Sequence, residues 1–131
     1  MNYLLETSAI LAHFQGEEGA DKVVSILSDP EARLFLCVVS LVELPRKFKE
    51  IGMPGKEIEA TLSAYQSMFK VIAVDLEVST QARWVAEATP ERLPLIDSLI
   101  AGAAKSASAR LVHRDKHMSA IPESVLDQIG L

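Results

Sequence analysis

The sequence predicts an α/β fold, a three-layer α/β/α sandwich around a mostly parallel sheet of four or five strands. Three observations carry this. The apolar runs are short and continuous, as strands buried on both faces require. Between them lie longer stretches with helical spacing. The connections are long enough for crossover helices, which set neighbouring strands parallel.

In order, Tyr3 to Leu5 is the first strand, and Leu34 to Val39 is a second, too short for a full helix. Ile58, Leu62, Tyr65 and Phe69 are spaced 4, 3 and 4 apart and share one helix face. Val71 to Val74 is a third strand, and Val78, Ala82 and Val85 mark the next helix. Ile96, Ile100, Ala103 and Ala104 line another, whose small residues allow close packing on the sheet. Leu111 and Val112 lie in a fourth strand, and a last helix is expected from near Pro122 to a stop at Gly130. Gly52, Pro54 and Gly55 separate two helices, while Thr89, Pro90 and Pro94 bracket a loop. No repeat or linker interrupts residues 1–131, so a single domain is expected.

Composition narrows the function classes. Hydrophobic residues make up 49% of the 131, and mean hydropathy is +0.19, which excludes intrinsic disorder. Thirteen basic against 18 acidic residues leave a net charge of −5, which argues against nucleic-acid binding by bulk attraction. Cys37 is the only cysteine, so neither an intrachain disulfide nor a thiolate zinc cluster can form, and its apolar run makes it a core residue. The N-terminus lacks a basic region followed by a long apolar one, and no run approaches a membrane span, so a cytoplasmic location without membrane contact is expected.

In an open α/β sheet, ligands bind beyond the carboxyl ends of the strands. Glu6 follows the first apolar run, Ser40 and Glu43 the second, and Asp115 the fourth, while Asp97 opens the helical stretch LPLIDSLIAGAA. Asp75, after VIAV, is a fifth candidate by position alone. Carboxylates brought together without cations repel, and a divalent ion relieves that repulsion. An all-oxygen set selects Mg²⁺ or Mn²⁺ over zinc, and such an ion supports phosphodiester cleavage. Each acid also has a structural reading. Ser40 and Glu43 fit a capping box, with Pro45 in about the first turn, where its missing N–H costs least. Asp97 offsets a helix dipole. Glu6 has less structural excuse, since Thr7 or Ser8 is placed to cap the following helix.

The segments YLLETSAILAHF, VVSLVELPRKF and LPLIDSLIAGAAKSASARLVHRDKHM together resemble a PIN-domain nuclease, most closely the VapC-type toxins of toxin–antitoxin modules. The likeness covers nearly the whole chain. It implies an α/β/α sandwich whose acids hold one or two Mg²⁺ or Mn²⁺ ions, and endoribonuclease activity, often on tRNA or ribosomal RNA. Carried over by position, the metal-binding, catalytic acids fall on Glu6, Glu43, Asp97 and Asp115. Ser8, with Thr7 the other possibility, matches a hydroxyl contacting the metal or its water. His117 falls where the family often has an acid or a polar residue. The resemblance also implies a homodimer and a cognate antitoxin that blocks the active site. The family's first acid is Asp, in runs such as DTSAI, whereas here it is Glu6, one methylene longer. Catalytic groups need placement within ~0.5 Å, so a non-enzymatic RNA- or protein-binding module of the same fold is the alternative. The C-terminal IPESVLDQIGL is short for the family's last strand.

Arg46, Lys47 and Lys49, with Arg114 and Lys116, offer an RNA-binding rim or simply a solvated face. Other readings fail. His113-Arg114-Asp115 matches the start of a kinase catalytic loop, but Ala120 stands where Asn is needed. A phosphoacceptor receiver domain requires paired acids where LLETSA supplies one. His13, His113 and His117 lack the H-E-x-x-H arrangement of a zinc hydrolase, so His113 and His117 read as a strand end and a polar loop position. Trp84 reads as a core or interface residue.

Overall fold

Five parallel strands form the sheet in the order β3-β2-β1-β4-β5. In the computed structural model, which describes residues 1–131, these are β1 (Asn2–Leu5), β2 (Arg33–Cys37), β3 (Lys70–Ile72), β4 (Arg110–His113) and β5 (Gln128–Gly130). Pairing sets Leu4 opposite both Phe35 and Leu111. Successive side chains then point to opposite faces. Leu4, Cys37 and Leu111 enter one core, and Leu5, Leu36 and Val112 enter the other. This two-sided burial is why the strands are continuously apolar, each buried Leu contributing ~1.5–3 kcal/mol.

One core is covered by α1 (Thr7–Phe14), α2 (Ala20–Ser28), α3 (Ser40–Glu50) and α4 (Gly55–Met68). The opposite core is covered by α5 (Leu76–Ala88), α6 (Leu95–Ser106) and the single turn α7 (Lys116–Ser119). Ile58, Leu62, Tyr65 and Phe69 are all buried, as their spacing predicts. The three layers of the sandwich are present, and the sheet is wholly rather than mostly parallel.

Several local expectations are corrected. Gly130 does not stop a helix: Pro122 to Leu126 makes one turn through Val125 and Leu126 N–H bonds to the Pro122 carbonyl, and Gly130 lies in β5. A three-residue strand is too short to show a period, and pairing with β4 creates it. The second strand ends at Cys37, because Val38 and Val39 form the half-buried turn into α3. The third ends at Ile72 instead of Val74. Pro45 sits at the sixth residue of α3, in its second turn, where the Leu41 carbonyl loses its usual partner. Ile96 is 39% exposed, and Gly102 takes its place on the packed face of α6. Trp84 is 45% exposed, outside the core, with Lys105 Nζ 4.5 Å from its ring centre. Cys37 is fully buried, and burial pushes its thiol pKa up, as suits an inert core residue.

Candidate active site

The chain turns back on itself between β1 and β4, since β2 and β3 lie to one side of β1 and β4 and β5 to the other. Such a reversal opens a crevice at the carboxyl ends of the strands. Four acidic segments arrive there.

Glu6 leaves β1 in extended conformation, and its carboxylate caps α1 by accepting the Ser8 N–H at 2.8 Å and the Ser8 hydroxyl. Neither Thr7 nor Ser8 is therefore the cap, and Glu6 has a structural role after all. The longer side chain reaches back over the helix start. The Ser8 hydroxyl also accepts the Arg114 N–H at 2.8 Å, tying the exits of β1 and β4 together. Glu6 is 4% exposed, and burial pushes its pKa up to about 7. The Ser8 bonds oppose the rise, and nearby Asp115 and Glu43 add to it.

Glu43 is not in a capping box. Its carboxylate accepts the Thr7 hydroxyl at 2.7 Å, and Thr7 Oγ1 lies 2.9 Å from the buried Ser40 hydroxyl. Thr7 has one proton, which goes to the carboxylate, so Ser40 is the donor to Thr7. A buried chain Ser40–Thr7–Glu43 thus fixes the Glu43 side chain from α1.

Asp97 projects from the first turn of α6 and carries no hydrogen bond from the protein; its one ion pair is with His117 Nδ1 at 3.7 Å. Burial, then Asp115 and Glu43, push its pKa up to about 6 against the pull of His117. Asp115 caps α7, accepting the His117 and Met118 N–H groups at 2.7 and 3.4 Å. Its own N–H donates to His113 Nδ1 at 3.1 Å, so the His113 proton sits on Nε2, 2.6 Å from Gln128 Oε1. Burial lowers the His113 pKa and keeps the ring neutral. This strand-end residue thereby holds the Asp115 turn, with Gln128 of β5 behind it.

His117 is the residue that sequence reasoning set aside. Its Nδ1 lies 3.4 Å from Asp115 Oδ1, and one donor atom each from Asp97, Asp115 and His117 falls within 4.8 Å of the others. The signal was its place two residues after Asp115, at the start of a turn too short to be read from periodicity. Glu6 and Glu43 act on this group through their charge. Asp75 does not join it: it is exposed and caps α5 through the Val78 N–H at 2.9 Å.

Of the basic residues, Arg114 pairs with Glu17 at 2.6 Å and Lys47 with Glu50 at 3.6 Å. Arg46 and Lys47 line a shallow cavity with Glu43 and Glu50. Lys49 and Lys116 are exposed.

A PIN domain family model matches residues 3–124. No curated protein matches the chain. Among solved structures, VapBC2 from Rickettsia felis, bound to a DNA fragment from its promoter, superposes with a TM-score of 0.77 at 18% identity, over 100% of this chain and 99% of that one. VapBC-1 from nontypeable Haemophilus influenzae gives 0.76 at 18% identity, over 99% and 98%. Mycobacterium tuberculosis VapC20, a sarcin–ricin loop cleaving toxin, gives 0.68 at 14% identity, over 90% and 93%. At these identities the likeness shows a shared fold.

Proposed function

The chain belongs to the PIN-domain family, and from that premise we propose that it is a metal-dependent endoribonuclease, the toxin of a toxin–antitoxin pair. Its substrate class is structured RNA such as tRNA or ribosomal RNA, and its metal is Mg²⁺ or Mn²⁺. The observation that carries this is the convergence of Glu6, Glu43, Asp97 and Asp115 at the sheet's reversal with little positive charge among them. Asp97 above all is half-buried with no hydrogen bond of its own. The rise of its pKa and that of Glu6 express the same deficit of cations.

The donor set fits a hard divalent ion, because carboxylate oxygens dominate it and the one cysteine, Cys37, is a fully buried core thiol whose pKa is pushed up. Asp97 and Asp115 would hold the ion, with Glu43 and Glu6 beside them. When bound, the ion orients and acidifies a water and neutralises charge on a phosphoryl oxygen. The chain's own residues set the frame. Thr7 and Ser40 hold Glu43, Ser8 holds Glu6 against the β4 exit, and His113 holds the Asp115 turn. Arg46, Lys49 and Lys116 are free to meet phosphates, whereas Arg114 and Lys47 must leave Glu17 and Glu50 to do so. The substrate class draws support from one structural neighbour, which is described as a sarcin–ricin loop cleaving toxin. A cognate antitoxin is supported by structural neighbours that are toxin–antitoxin assemblies, and a homodimer is part of the reading through the family resemblance alone.

The test is cleavage of tRNA and of a ribosomal RNA fragment by antitoxin-free protein across a Mg²⁺ and Mn²⁺ titration. Cleavage is expected to require the ion, to stop with chelator, and to fall at least ~100-fold in Asp97→Asn. RNA binding that is indifferent to metal and brings no cleavage would falsify the nuclease reading.

A further inference from the structure

We infer that His117 is a ligand of the metal, giving a mixed nitrogen and oxygen site that takes Mn²⁺ in preference to Mg²⁺. The inference rests on the metal-dependent reading above and adds a residue that the acid pattern does not contain.

The His117 Nδ1 atom lies 3.4 Å from one Asp115 oxygen and 3.7 Å from one Asp97 oxygen. Both distances exceed the 2.7–3.2 Å of an ordinary N–H···O bond. They match a different relation. Two donors that share one ion at about 2.0–2.2 Å stand roughly 3–3.5 Å apart, within a few tenths of an ångström of what is seen.

The backbone already fixes this arrangement. The His117 N–H donates to Asp115 Oδ1 at 2.7 Å, so the two residues are locked in one turn, while the opening of α6 brings Asp97 to the ring. The ring is 44% exposed, which leaves an ion a path in. His113, the other nearby imidazole, is not available, since its two nitrogens are engaged by the Asp115 N–H and Gln128. As a plain ion pair, the half-exposed His117 would contribute little.

The acids explain why an extra ligand is of use. Glu6 spends one carboxylate oxygen on Ser8 to cap α1. Replacing an oxygen donor with an imidazole alters selectivity, because Mg²⁺ requires oxygen ligands in near-ideal octahedral geometry while transition ions accept nitrogen.

The experiment is pulsed electron paramagnetic resonance of antitoxin-free protein loaded with Mn²⁺, alongside competition of Mg²⁺ against Mn²⁺ binding. A nitrogen-14 coupling to the bound Mn²⁺ is expected in the wild type. In His117→Asp, Mn²⁺ should still bind, the coupling should vanish, and Mn²⁺ affinity relative to Mg²⁺ should fall roughly tenfold. In His117→Ala the coupling should vanish as well. Bound Mn²⁺ with no nitrogen coupling, or with the same coupling in His117→Asp, overturns the role of His117 and leaves the metal-dependent reading standing. If wild-type protein binds no Mn²⁺ at all, the metal-dependent reading itself fails, and this inference with it.

Discussion

At Glu6, a carboxylate that is 4% exposed and held by Ser8 has its pKa pushed up to about 7 from an ordinary 4.5. Without metal, the folded protein therefore binds a proton there more tightly than the unfolded chain does. Stability from this group is full below about pH 4.5 and is lost as pH rises through about 7. His113 acts in the opposite sense, because burial lowers its pKa below the ordinary 6.5 and stability is lost as pH falls. The contrast with Glu6→Gln isolates the carboxylate. In metal-free buffer, the melting temperature of the wild type relative to this variant should drop between about pH 4.5 and 7.5. Parallel pH profiles for the two proteins would show that Glu6 is not shifted. The residue was singled out from sequence as the acid after the first apolar run. Its hold on Ser8 was not legible, because that bond depends on how far the extra methylene lets the side chain fold back.

Among the elements, α5 and α6 show how close packing is bought with a missing side chain. A methyl group on Gly102 would lie 2.6 Å from the Val78 carbonyl oxygen and 2.7 Å from the Ala82 nitrogen, both backbone atoms that cannot swing aside. Gly102→Ala should cost about 1–3 kcal/mol by forcing the helices apart. Thermal or denaturant unfolding would read that as a melting point several degrees lower, and an unchanged midpoint would mean the helices slide freely. Since α6 carries Asp97, the same change would also shift one wall of the site. The helical period of α6 was readable from Ile100, Ala103 and Ala104, all buried. Which residues faced the neighbouring helix was not, and Ile96 turned out to be exposed while glycine made the contact. The last strand was likewise invisible, because Gln128 to Gly130 has no apolar pattern of its own and exists through its pairing with β4.

Across the whole molecule, residues 6, 43, 97 and 115 come from four separate segments, and only the folded topology unites them. An ion that binds this site binds the native state and not the unfolded chain, so it should stabilise the entire fold. At a concentration 100 times its dissociation constant the gain is ~2.7 kcal/mol. Mn²⁺ should therefore raise the melting temperature of wild-type protein, and Asp97→Asn should abolish most of the rise. Equal shifts in both proteins would point to binding elsewhere. The net charge of −5 fits the same picture, since the surplus acids are partly gathered at one place and RNA would be met by metal and a local basic rim.

The sequence alone determined the layer architecture, because strands buried on both faces must be continuously apolar and helices on a sheet must repeat every three to four residues. It also picked out the acids, since carboxylates at strand ends stand out against apolar surroundings. Tertiary structure decided what each polar group does. Glu6 became a helix cap, Glu43 became the partner of Thr7, Ser40 left its own helix end for Thr7, and His117 came to face Asp97, twenty positions earlier in the chain. A polar side chain has several local partners of similar energy within its own segment, and only the packing of distant segments selects among them.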